Sequence, residues 1–589
     1  MAAYVRFDDL TPGRCSSFEL IGQTGELTAA TLDEVRPVVE AAESAATGGA
    51  WVAGFVGYEA APAFDAGLPV RPADSTPAGR TPLAWFGIFN EKRSSPPPAE
   101  SGSYALDRWE ASVNTAAHHR TVGAIRDRIA LGDTYQVNYT FRLRSKLEGD
   151  PLALYLDLAH AQRSAHSAFL DTCDIAVASA SPELFFALID GRLTTRPMKG
   201  TTPRGRWLEE DLERAEELRR SEKDLAENMM IVDLLRSDMG RISEVGTVRA
   251  EPVFEVERYE TLWQMTSTIT SRVRSSTGLL DIFDALFPCG SVTGAPKAST
   301  MAIIAELENS PRGVYCGAVG VLVPGGRRAQ FSVGIRTLVT DRRSGVVEYG
   351  VGGGITWDST PEGEHAEALL KAEVLAVRRP SFNLLETLRW DGSDYWELDR
   401  HLERLAGSAR YFRFRLDRER VVAALKAAGQ DAGAMACRVR LTVTETGNPS
   451  TGIAPLPPDD DVVILAIDDD PVDPAEPMLF HKTDARDRYD MRRARHPAAD
   501  DVVLVNERGE VTETSTANML ARIGDHWYTP PVESGLLPGI ERARLLAEGS
   551  IEERVLIPKD LHDASGLAVV NSVRLWRPAR LLGEEMITE

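Results

Sequence analysis

The chain has 589 residues, 43% of them hydrophobic and 26% charged, and its formal net charge at pH 7 is −22. This length exceeds what one hydrophobic core supports, so two or three domains are expected. The excess of carboxylates argues against nucleic acid or an anionic membrane as a partner, because both would be repelled. The five cysteines lie far apart without a C-x-x-C pair, and no apolar run reaches 18 residues. We therefore expect a cytoplasmic protein with no membrane segment.

The first 105 residues mix short strand-like runs with loops, and a helical pattern from about 110 to 130 leads into a turn and a strand at 132–140. The segment 196–205, RPMKGTTPRG, is predicted to be a tight loop because Pro and Gly punctuate it. It holds Lys199, and a lysine becomes a nucleophile when burial or a neighbouring cation lowers its pKa. A solvated surface lysine in a turn is the alternative.

Two helical segments place paired carboxylates on one face: Asp224 with Glu227, and Glu364 with Glu367 and then Lys371. Together these carboxylates can hold Mg²⁺, which prefers oxygen ligands, although acidic helix faces are more often simply solvated. Gly-rich loops at 287–297 and 351–356 come before helical patterns, so their backbone N–H groups can face an anion.

Eight motifs over roughly residues 105–378 resemble, in this order, those of the chorismate-utilising enzymes. They are GDTYQVNYT (132–140), SPELFF (181–186), RPMKGTTPRG (196–205), ENMMIVDLLRSDMGRI (227–242), FPCGSVTGAPK (287–297), RGVYCGAVG (312–320), FSVGIRT (331–337) and PEGEHAEALLK (361–371). The resemblance implies an α/β (α+β) fold of two large sheets with surrounding helices that closes over chorismate and Mg²⁺. We expect this first domain to span residues 1–378, with a core at about 105–378.

The resemblance also implies residue roles. Glu227 and Glu367 would ligate Mg²⁺ with Asp224 and Glu364 behind them, while Glu183 would protonate the departing hydroxyl. The residues expected to contact the substrate are Gln136, Thr293, Tyr315, Arg336, Gly353, Gly354 and Lys371.

Two positions bear on the product. Gln136 stands where the water-adding members carry a lysine, so ammonia is favoured as the nucleophile. Lys199 stands where anthranilate synthases typically carry alanine and aminodeoxychorismate synthases carry lysine, so its amine would direct the amino group para to the ring carboxylate. Gln264 replaces a histidine that many relatives carry, and an amide cannot shuttle a proton at neutral pH. The chain shows no G-x-C-x-G turn followed by a histidine pair, so a separate glutamine amidotransferase subunit is expected to supply ammonia.

After residue 380 only three lysines occur, and Lys482 lies at a predicted strand end that suits a Schiff base. This region resembles the fold type IV pyridoxal-phosphate enzymes, particularly the aminodeoxychorismate lyases. The matching segments are HLERL (401–405), EVTETSTANML (510–520), GLLPGIERARLL (535–546) and NSVRL (571–575). We therefore expect a second, smaller α/β domain at residues 381–589 that binds pyridoxal 5′-phosphate.

In that domain Lys482 would bond to the cofactor and act as the base, Thr387 would assist it, and Glu513 would pair with the pyridine nitrogen. The residues expected to bind the phosphate are Arg404, Gly539, Ile540 and Ser572. Glu541 stands where a phosphate-binding threonine is usual, and its charge opposes phosphate binding unless the side chain points away.

The two resemblances together predict a bifunctional enzyme that converts chorismate, through 4-amino-4-deoxychorismate, to 4-aminobenzoate and pyruvate. Three alternatives stay open: an anthranilate synthase, a synthase with an inactive lyase-like tail, and a non-catalytic regulator that binds chorismate or tryptophan. A homodimer formed through the second domain is a further hypothesis.

Overall fold

The computed structural model describes residues 2–11, 16–72, 81–98, 102–376, 382–456 and 462–583. The chain forms two compact units: Met1–Arg204 with Arg214–Arg379, and Gly205–Glu213 with Pro380–Glu589. The predicted domain boundary at 378–381 lies outside the described residues. No pattern in the sequence predicts that the segment Gly205–Glu213 belongs to the second unit.

The first unit contains an 18-stranded sheet, and all its described strand pairs are antiparallel. Its strands are Tyr4–Asp9, Ser16–Ala29, Trp51–Val56, Ala84–Ser94, Tyr104–Leu106, Glu110–Ala111, Gln136–Gly149, His166–Asp171, Ile175–Ser181, Leu184–Ile189, Arg192–Arg196, Arg249–Ala250, Ile269–Arg272, Gly294–Ala295, Ala318–Val323, Arg328–Val333, Thr337–Asp341 and Val346–Ile355. A separate three-stranded sheet has the order Met198–Pro203, Leu262–Thr266, Glu255–Arg258.

Helices pack against this sheet, and their apolar residues contribute to its hydrophobic cores. The α-helices are Leu32–Thr47, Ala61–Phe64, Thr115–Ala130, Pro151–Gln162, Leu208–Arg220, Glu222–Gly240, Leu279–Leu286, Lys297–Leu307 and Pro361–Leu370, with 3₁₀ turns at Tyr58–Ala60, Gly290–Val292 and Glu373–Leu375. In the largest core, Ile231 and Leu235 pack with Phe283 and Phe331. The segment from Leu208 to Gly240 forms two helices rather than one, and Ser221 caps the second of them.

The caps fix where the acidic pairs lie. The Ser221 hydroxyl accepts a hydrogen bond from the Asp224 N–H at 3.3 Å, so Asp224 and Glu227 fall in the first two turns of Glu222–Gly240. Thr360 caps Pro361–Leu370 in the same way, with its hydroxyl accepting from the Gly363 N–H at 3.2 Å. Asp224 and Glu364 therefore lie in the first turn of their helices, where the helix dipole favours negative charge, and Glu227 and Glu367 follow one turn later.

The second unit contains two sheets. The smaller consists of Leu384–Trp390, Cys437–Val443 and Pro449–Pro455, and the larger of Val463–Ile467, Asp501–Val505, Val511–Thr514, Asn518–Ile523, His526–Thr529, Glu552–Glu553, Gly566–Asn571 and Leu575–Leu581. Its helices are Leu398–Phe412, Arg418–Ala432, Asp487–Arg495, Ile540–Ala547 and Pro558–Asp563, with 3₁₀ turns at Pro477–Leu479 and Val532–Ser534. The mixed α/β character predicted for both halves is confirmed.

The segment Gly205–Glu213 is packed into this second unit. The Trp207 ring lies 5.1 Å from the Phe480 ring, centroid to centroid, and the Tyr411 hydroxyl donates to the Gly205 carbonyl at 2.7 Å. Phe480 lies two residues before Lys482, so this segment packs beside the part of the chain that carries the lysine. Among the described residues, no helix is long and apolar enough to cross a membrane.

Candidate functional sites

Lys199 lies on the strand Met198–Pro203, an edge strand of the three-stranded sheet. The prediction of a tight loop was therefore wrong. Pro and Gly do exclude a central strand, but an edge strand with an irregular register tolerates both. The register shifts between Met198 and Thr201, and Gly200 between them has φ of +89°, a conformation that favours glycine.

Gln264 holds this irregular strand in place. Its side-chain amide donates to the Gly200 carbonyl at 2.7 Å and accepts from the Thr201 hydroxyl at 3.1 Å. An amide carries its donor and its acceptor on one carbon, so this single side chain can bind two neighbouring residues of the strand. The position therefore has a structural function here.

Lys199 enters a cavity of about 250 Å³ whose walls bring together most of the residues predicted for the first site. They are Glu183, Lys199, Asp224, Glu227, Tyr315, Arg336, Gly354, Glu364, Glu367 and Lys371. Asn138, Lys223 and Ser291 also line it and were not predicted.

Three other predicted residues lie differently. Gln136 is fully buried behind Gly354, and its side-chain amide donates to Glu227 at 3.4 Å. Gly353 is adjacent to the wall, where an added Cβ would lie 3.1 Å from Glu364. The Thr293 side chain does not reach the cavity, because its hydroxyl donates to the carbonyls of Cys289 and Gly290 within its own loop. Thr293 is not among the residues that line this cavity, and its contact with the substrate stays a prediction.

Glu183 is buried, and the pKa of its carboxyl group lies near neutral pH. Burial raises its pKa to about 7, while the Ser291 hydrogen bond and the Lys199 charge oppose that rise. The Ser291 hydroxyl donates to Glu183 Oε1 at 2.5 Å. A carboxyl group with this pKa can donate a proton near pH 7 and take one back.

Lys199 is almost fully buried. Burial lowers the pKa of its amine, and the charge of Glu227 opposes this. Nearby, Lys371 Nζ lies 2.7 Å from Glu367 Oε1 and donates to the Gly352 carbonyl at 2.9 Å. The first cavity therefore combines one amine that can be neutral with a wall of carboxylates and cations.

Two backbone features bring the reacting groups close together. A Cβ on Gly354 would lie 2.1 Å from Gln136 Nε2 and 2.8 Å from Lys199 Nζ, so any larger residue there would displace these two side chains. Arg336, at φ of +52°, follows the strand Arg328–Val333 and donates to the Lys371 carbonyl. Arg336 also lines the cavity, and a guanidinium group can bind a carboxylate there.

The four carboxylates predicted to bind Mg²⁺ line this one cavity from two helices. Among the described residues, no group of three or more His, Cys, Asp or Glu side chains is arranged to hold a metal ion. Mg²⁺ commonly binds through one or two carboxylates and keeps several waters or substrate oxygens, so the acidic pairs fit such a partial set.

The second unit has a cavity of about 600 Å³ around Lys482. It is lined by all the residues predicted for the cofactor site: Thr387, Arg404, Lys482, Glu513, Gly539, Ile540 and Ser572. Lys482 follows the turn Pro477–Leu479 rather than ending a strand, and its carbonyl accepts from the Leu385 N–H at 2.9 Å. Burial, together with the charge of Arg404, lowers the pKa of Lys482 to about 8.

Glu513 and Arg404 face this cavity with defined partners. Burial raises the pKa of Glu513 to about 8, against hydrogen bonds from the Leu537 N–H and the Tyr489 hydroxyl, both at 3.2 Å. Arg404 donates through Nε and Nη2 to Glu386 at 2.9 and 2.7 Å and through Nη1 to the Pro538 carbonyl at 3.1 Å. Glu386 and Tyr489 were not predicted.

Glu541 points away from the cavity. Its carboxylate accepts from Arg544 Nη2 at 2.7 Å and from the Trp396 indole at 3.3 Å, and it is absent from the cavity wall. The start of the helix Ile540–Ala547 is therefore open to an anion, as the cofactor phosphate requires. A buried lysine, a facing carboxyl group and this helix start together fit pyridoxal phosphate.

Comparison with known proteins agrees with this geometry. The family model described as chorismate binding enzyme matches residues 8–377, and the model of class IV amino-transferases matches residues 383–582. An aminodeoxychorismate synthase of Streptomyces griseus is 42% identical over 269 residues, which are 46% of this chain and 36% of that protein. An anthranilate synthase component 1 of Aquifex aeolicus is 38% identical over 267 residues, 45% of this chain and 53% of that protein.

Among solved structures, anthranilate synthase component I of Streptococcus pneumoniae superposes with a TM-score of 0.54 at 25% identity, over 62% of this chain and 93% of that one. The chain spans between about a third and a half of the length of the two curated relatives named above. Since the chorismate-binding model covers more than half of the residues, the chain belongs to the chorismate binding enzyme family and carries a class IV amino-transferase domain after it.

Proposed function

We propose that the first unit replaces the ring hydroxyl of chorismate with an amino group from ammonia, giving 4-amino-4-deoxychorismate. We propose that the second unit then releases pyruvate from this product and leaves 4-aminobenzoate. The observation that carries the proposal is the buried amine of Lys199, placed in one cavity with Glu183 and the two acidic helices. The relatives include both aminodeoxychorismate and anthranilate synthases, so this residue decides between them.

In the first unit, the neutral Lys199 amine attacks the ring carbon beside the one that bears the carboxylate. The diene electrons shift, and the hydroxyl leaves as water with a proton from Glu183. Ammonia then adds at the vacated carbon as the bond to Lys199 breaks, and the proton that ammonia loses returns to Glu183. The net change is hydroxyl for amino, with one water released.

The other residues of this cavity bind and orient the substrate. Arg336 and Lys371 supply positive charge for the carboxylates of a dianion, and Tyr315 lies on the same wall. Glu227 and Glu367 would hold Mg²⁺, with Asp224 and Glu364 beside them, and the ion would offset the charge of the ring carboxylate. Gln136 has no basic group, which suits ammonia rather than an activated water as the nucleophile.

In the second unit, pyridoxal phosphate when bound supplies an electron sink. Arg404, Ser572 and the helix start at Gly539–Ile540 would hold its phosphate, and Glu513 would keep its ring nitrogen protonated. Lys482 takes the proton from the ring carbon that carries the amine. Pyruvate then departs as the ring becomes aromatic and takes up the proton that Lys482 removed, and Thr387 assists this transfer.

The proposal includes the division of the chain into a synthase of residues 1–378 and a lyase of residues 381–589. It also includes a separate glutamine amidotransferase subunit as the source of ammonia and a homodimer formed through the second unit. The absence of a recognisable glutaminase motif in the sequence supports the first of these partners.

The test is incubation of the purified chain with chorismate, ammonium, Mg²⁺ and pyridoxal phosphate, followed by product identification. The expected products are 4-aminobenzoate and pyruvate in equal amounts. Lys199→Ala should abolish both, whereas Lys146→Ala, an exposed lysine on the strand Gln136–Gly149, should not. Anthranilate as the product, or para product undiminished in Lys199→Ala, would refute the proposal.

Anthranilate formation is the second candidate, favoured by the 38% identity to an anthranilate synthase. It predicts an ortho-aminated product that survives loss of the Lys199 amine. An inactive second unit predicts accumulation of 4-amino-4-deoxychorismate, with no effect of Lys482→Ala on pyruvate. Production of pyruvate that disappears in Lys482→Ala excludes it.

A further inference from the structure

The small sheet of the second unit turns one face to its core and the other to the Lys482 cavity. On the central strand Cys437–Val443, Val439 and Leu441 are buried in the core. Arg438 and Arg440 alternate with them, are exposed, and line the cavity. Side chains two residues apart share a face of a strand, so both guanidinium groups lie on the cavity side.

The pairing of this strand places the two arginines in order along the cavity wall. Arg440 lies opposite Thr387, and Arg438 lies opposite Arg389, on the strand Leu384–Trp390. The Leu385 N–H on that same strand donates to the Lys482 carbonyl. Two residues of a strand span about 7 Å. Arg440 therefore lies one such distance along the sheet from Leu385, the residue that contacts Lys482, and Arg438 lies two such distances from it.

Neither guanidinium group is used by the fold. Within the described parts of the chain, the side chains of Arg438 and Arg440 make no hydrogen bond and no ion pair. Their neighbours differ: Arg404 is paired with Glu386, and Arg389 donates to the Val573 carbonyl at 3.1 Å. Two uncompensated arginines on one cavity wall, in a chain of net charge −22, indicate an anionic ligand.

The two arginines lie at different distances from Lys482, which suits a ligand with two negative groups. The phosphate of the cofactor already has Arg404 and the helix start at Ile540, so it does not account for this wall. The substrate proposed for the second unit has a carboxylate across the ring from its amine and another on the enol ether. With its amine at Lys482, the enol-ether carboxylate lies nearer the lysine, because the ether is on the ring carbon next to the amine, and the ring carboxylate lies farther along the wall.

We propose that Arg440 and Arg438 bind the two carboxylates of the substrate of the second unit and make that unit selective for dianions. This inference rests on the proposed function. A guanidinium group binds a carboxylate through two parallel hydrogen bonds, and such charge-assisted bonds are the stronger kind. The two arginines are positioned to select the substrate, while Lys482 and Thr387 carry out the reaction.

The first experiment measures pyruvate release from supplied 4-amino-4-deoxychorismate by Arg440→Met, Arg438→Met and the double variant. Methionine keeps much of the apolar stem and removes the charge. We expect KM to rise about tenfold or more in each single variant, with kcat within a few-fold, because a charge-assisted hydrogen bond contributes about that factor. Arg522→Met, an exposed arginine of the strand Asn518–Ile523 outside the cavity, is the control and should leave KM unchanged.

The second experiment needs no turnover. Chorismate is a dianion without an amine, and in EDTA without ammonia it should perturb the visible absorbance of the bound cofactor on binding beside it. Arg440→Met should weaken this binding about tenfold or more, and Arg440→Lys should restore part of it. The monoanion 4-hydroxybenzoate should bind more weakly to the wild type and lose less in the variants.

The results distinguish failure of the arginine assignment from failure of the function proposed for the second unit. If the wild type releases no pyruvate, the proposed function of the second unit fails. If the wild type releases pyruvate and both methionine variants keep its KM and its chorismate affinity, the assignment of the two arginines is overturned. An unchanged cofactor absorbance in each variant shows that the site has kept its fold, and if a methionine variant loses that absorbance, Arg440→Lys decides the question.

Discussion

The carboxylate of Glu386 makes the second unit sensitive to acid. It is buried and accepts hydrogen bonds from His401 Nδ1 at 2.7 Å and from two nitrogens of Arg404. Burial alone would raise its pKa, but the charges of Arg404 and His401 outweigh burial and hold the pKa at about 2. Against an ordinary glutamate near 4.3, a depression of about two units is worth roughly 3 kcal/mol of folding stability.

The sign of the pH dependence follows from the depressed pKa. The stability is fully present above the unfolded pKa, near pH 5 and higher, and is lost as the pH falls toward 2. Glu386→Gln should therefore lower the free energy of unfolding of the second unit by about 3 kcal/mol at pH 7, and the gap should narrow by roughly 1 kcal/mol between pH 5 and pH 3.5. For a unit of about 200 residues, 3 kcal/mol corresponds to roughly 6–12 °C in Tm.

Calorimetry can measure this in the full chain. The transition that moves upward on adding pyridoxal phosphate is assigned to the second unit, because a ligand stabilises the unit that binds it. Glu403→Gln, an exposed carboxylate on the same helix Leu398–Phe412, is the matched control. A Tm gap below about 2 °C at pH 7, or one of equal size at pH 3.5, would refute the argument.

Three further predictions concern other contacts. Gly354→Ala should reduce amination about 100-fold or more without unfolding the chain, because its Cβ would displace Gln136 and Lys199; Gly123→Ala, with open space around it, should keep full activity. Ser291→Ala should shift the limb of the amination pH profile that reports Glu183 from about pH 7 upward by roughly one unit, since the lost hydrogen bond stabilised the carboxylate; an unmoved limb contradicts the general-acid role. Trp207→Ala should destabilise the cofactor-sensitive transition by about 2 kcal/mol, because a half-buried ring leaves Phe480, and no change in that transition would exclude Gly205–Glu213 from the second unit.

The parts of the sites that depend on local spacing could be predicted from the sequence. Asp224 with Glu227, and Glu364 with Glu367, share a helix face because the helical period is 3.6 residues, and the structure brings both pairs to one cavity. The lysine strand was misread as a loop because the signals of Pro and Gly do not distinguish a loop from an irregular edge strand. Only the pairing with Leu262–Thr266, some 60 residues later, decides that point.

Contacts between distant parts of the chain were missed for the same reason. Ser291 binds Glu183 across 108 residues, and no periodicity in the sequence reports such a contact. Arg438 and Arg440 did leave a signal, since the alternation C-R-V-R-L-T-V gives a strand with one charged face and one apolar face. A charged face on one strand of a domain that was expected to bind a cofactor was the available clue.

Both units contain a buried lysine, but the charged side chains around the two lysines differ. Each buries a lysine amine, and burial lowers the pKa of Lys199 and of Lys482 alike. Carboxylates dominate around Lys199, so that cavity suits a dianion that arrives with a divalent cation to balance the negative wall. Arginines dominate around Lys482, so that cavity suits a phosphate and a dianion without a metal. Under the proposed function, the same substrate skeleton would be bound twice in succession, and the positive charge that a metal ion would supply in the first cavity is supplied by guanidinium groups in the second.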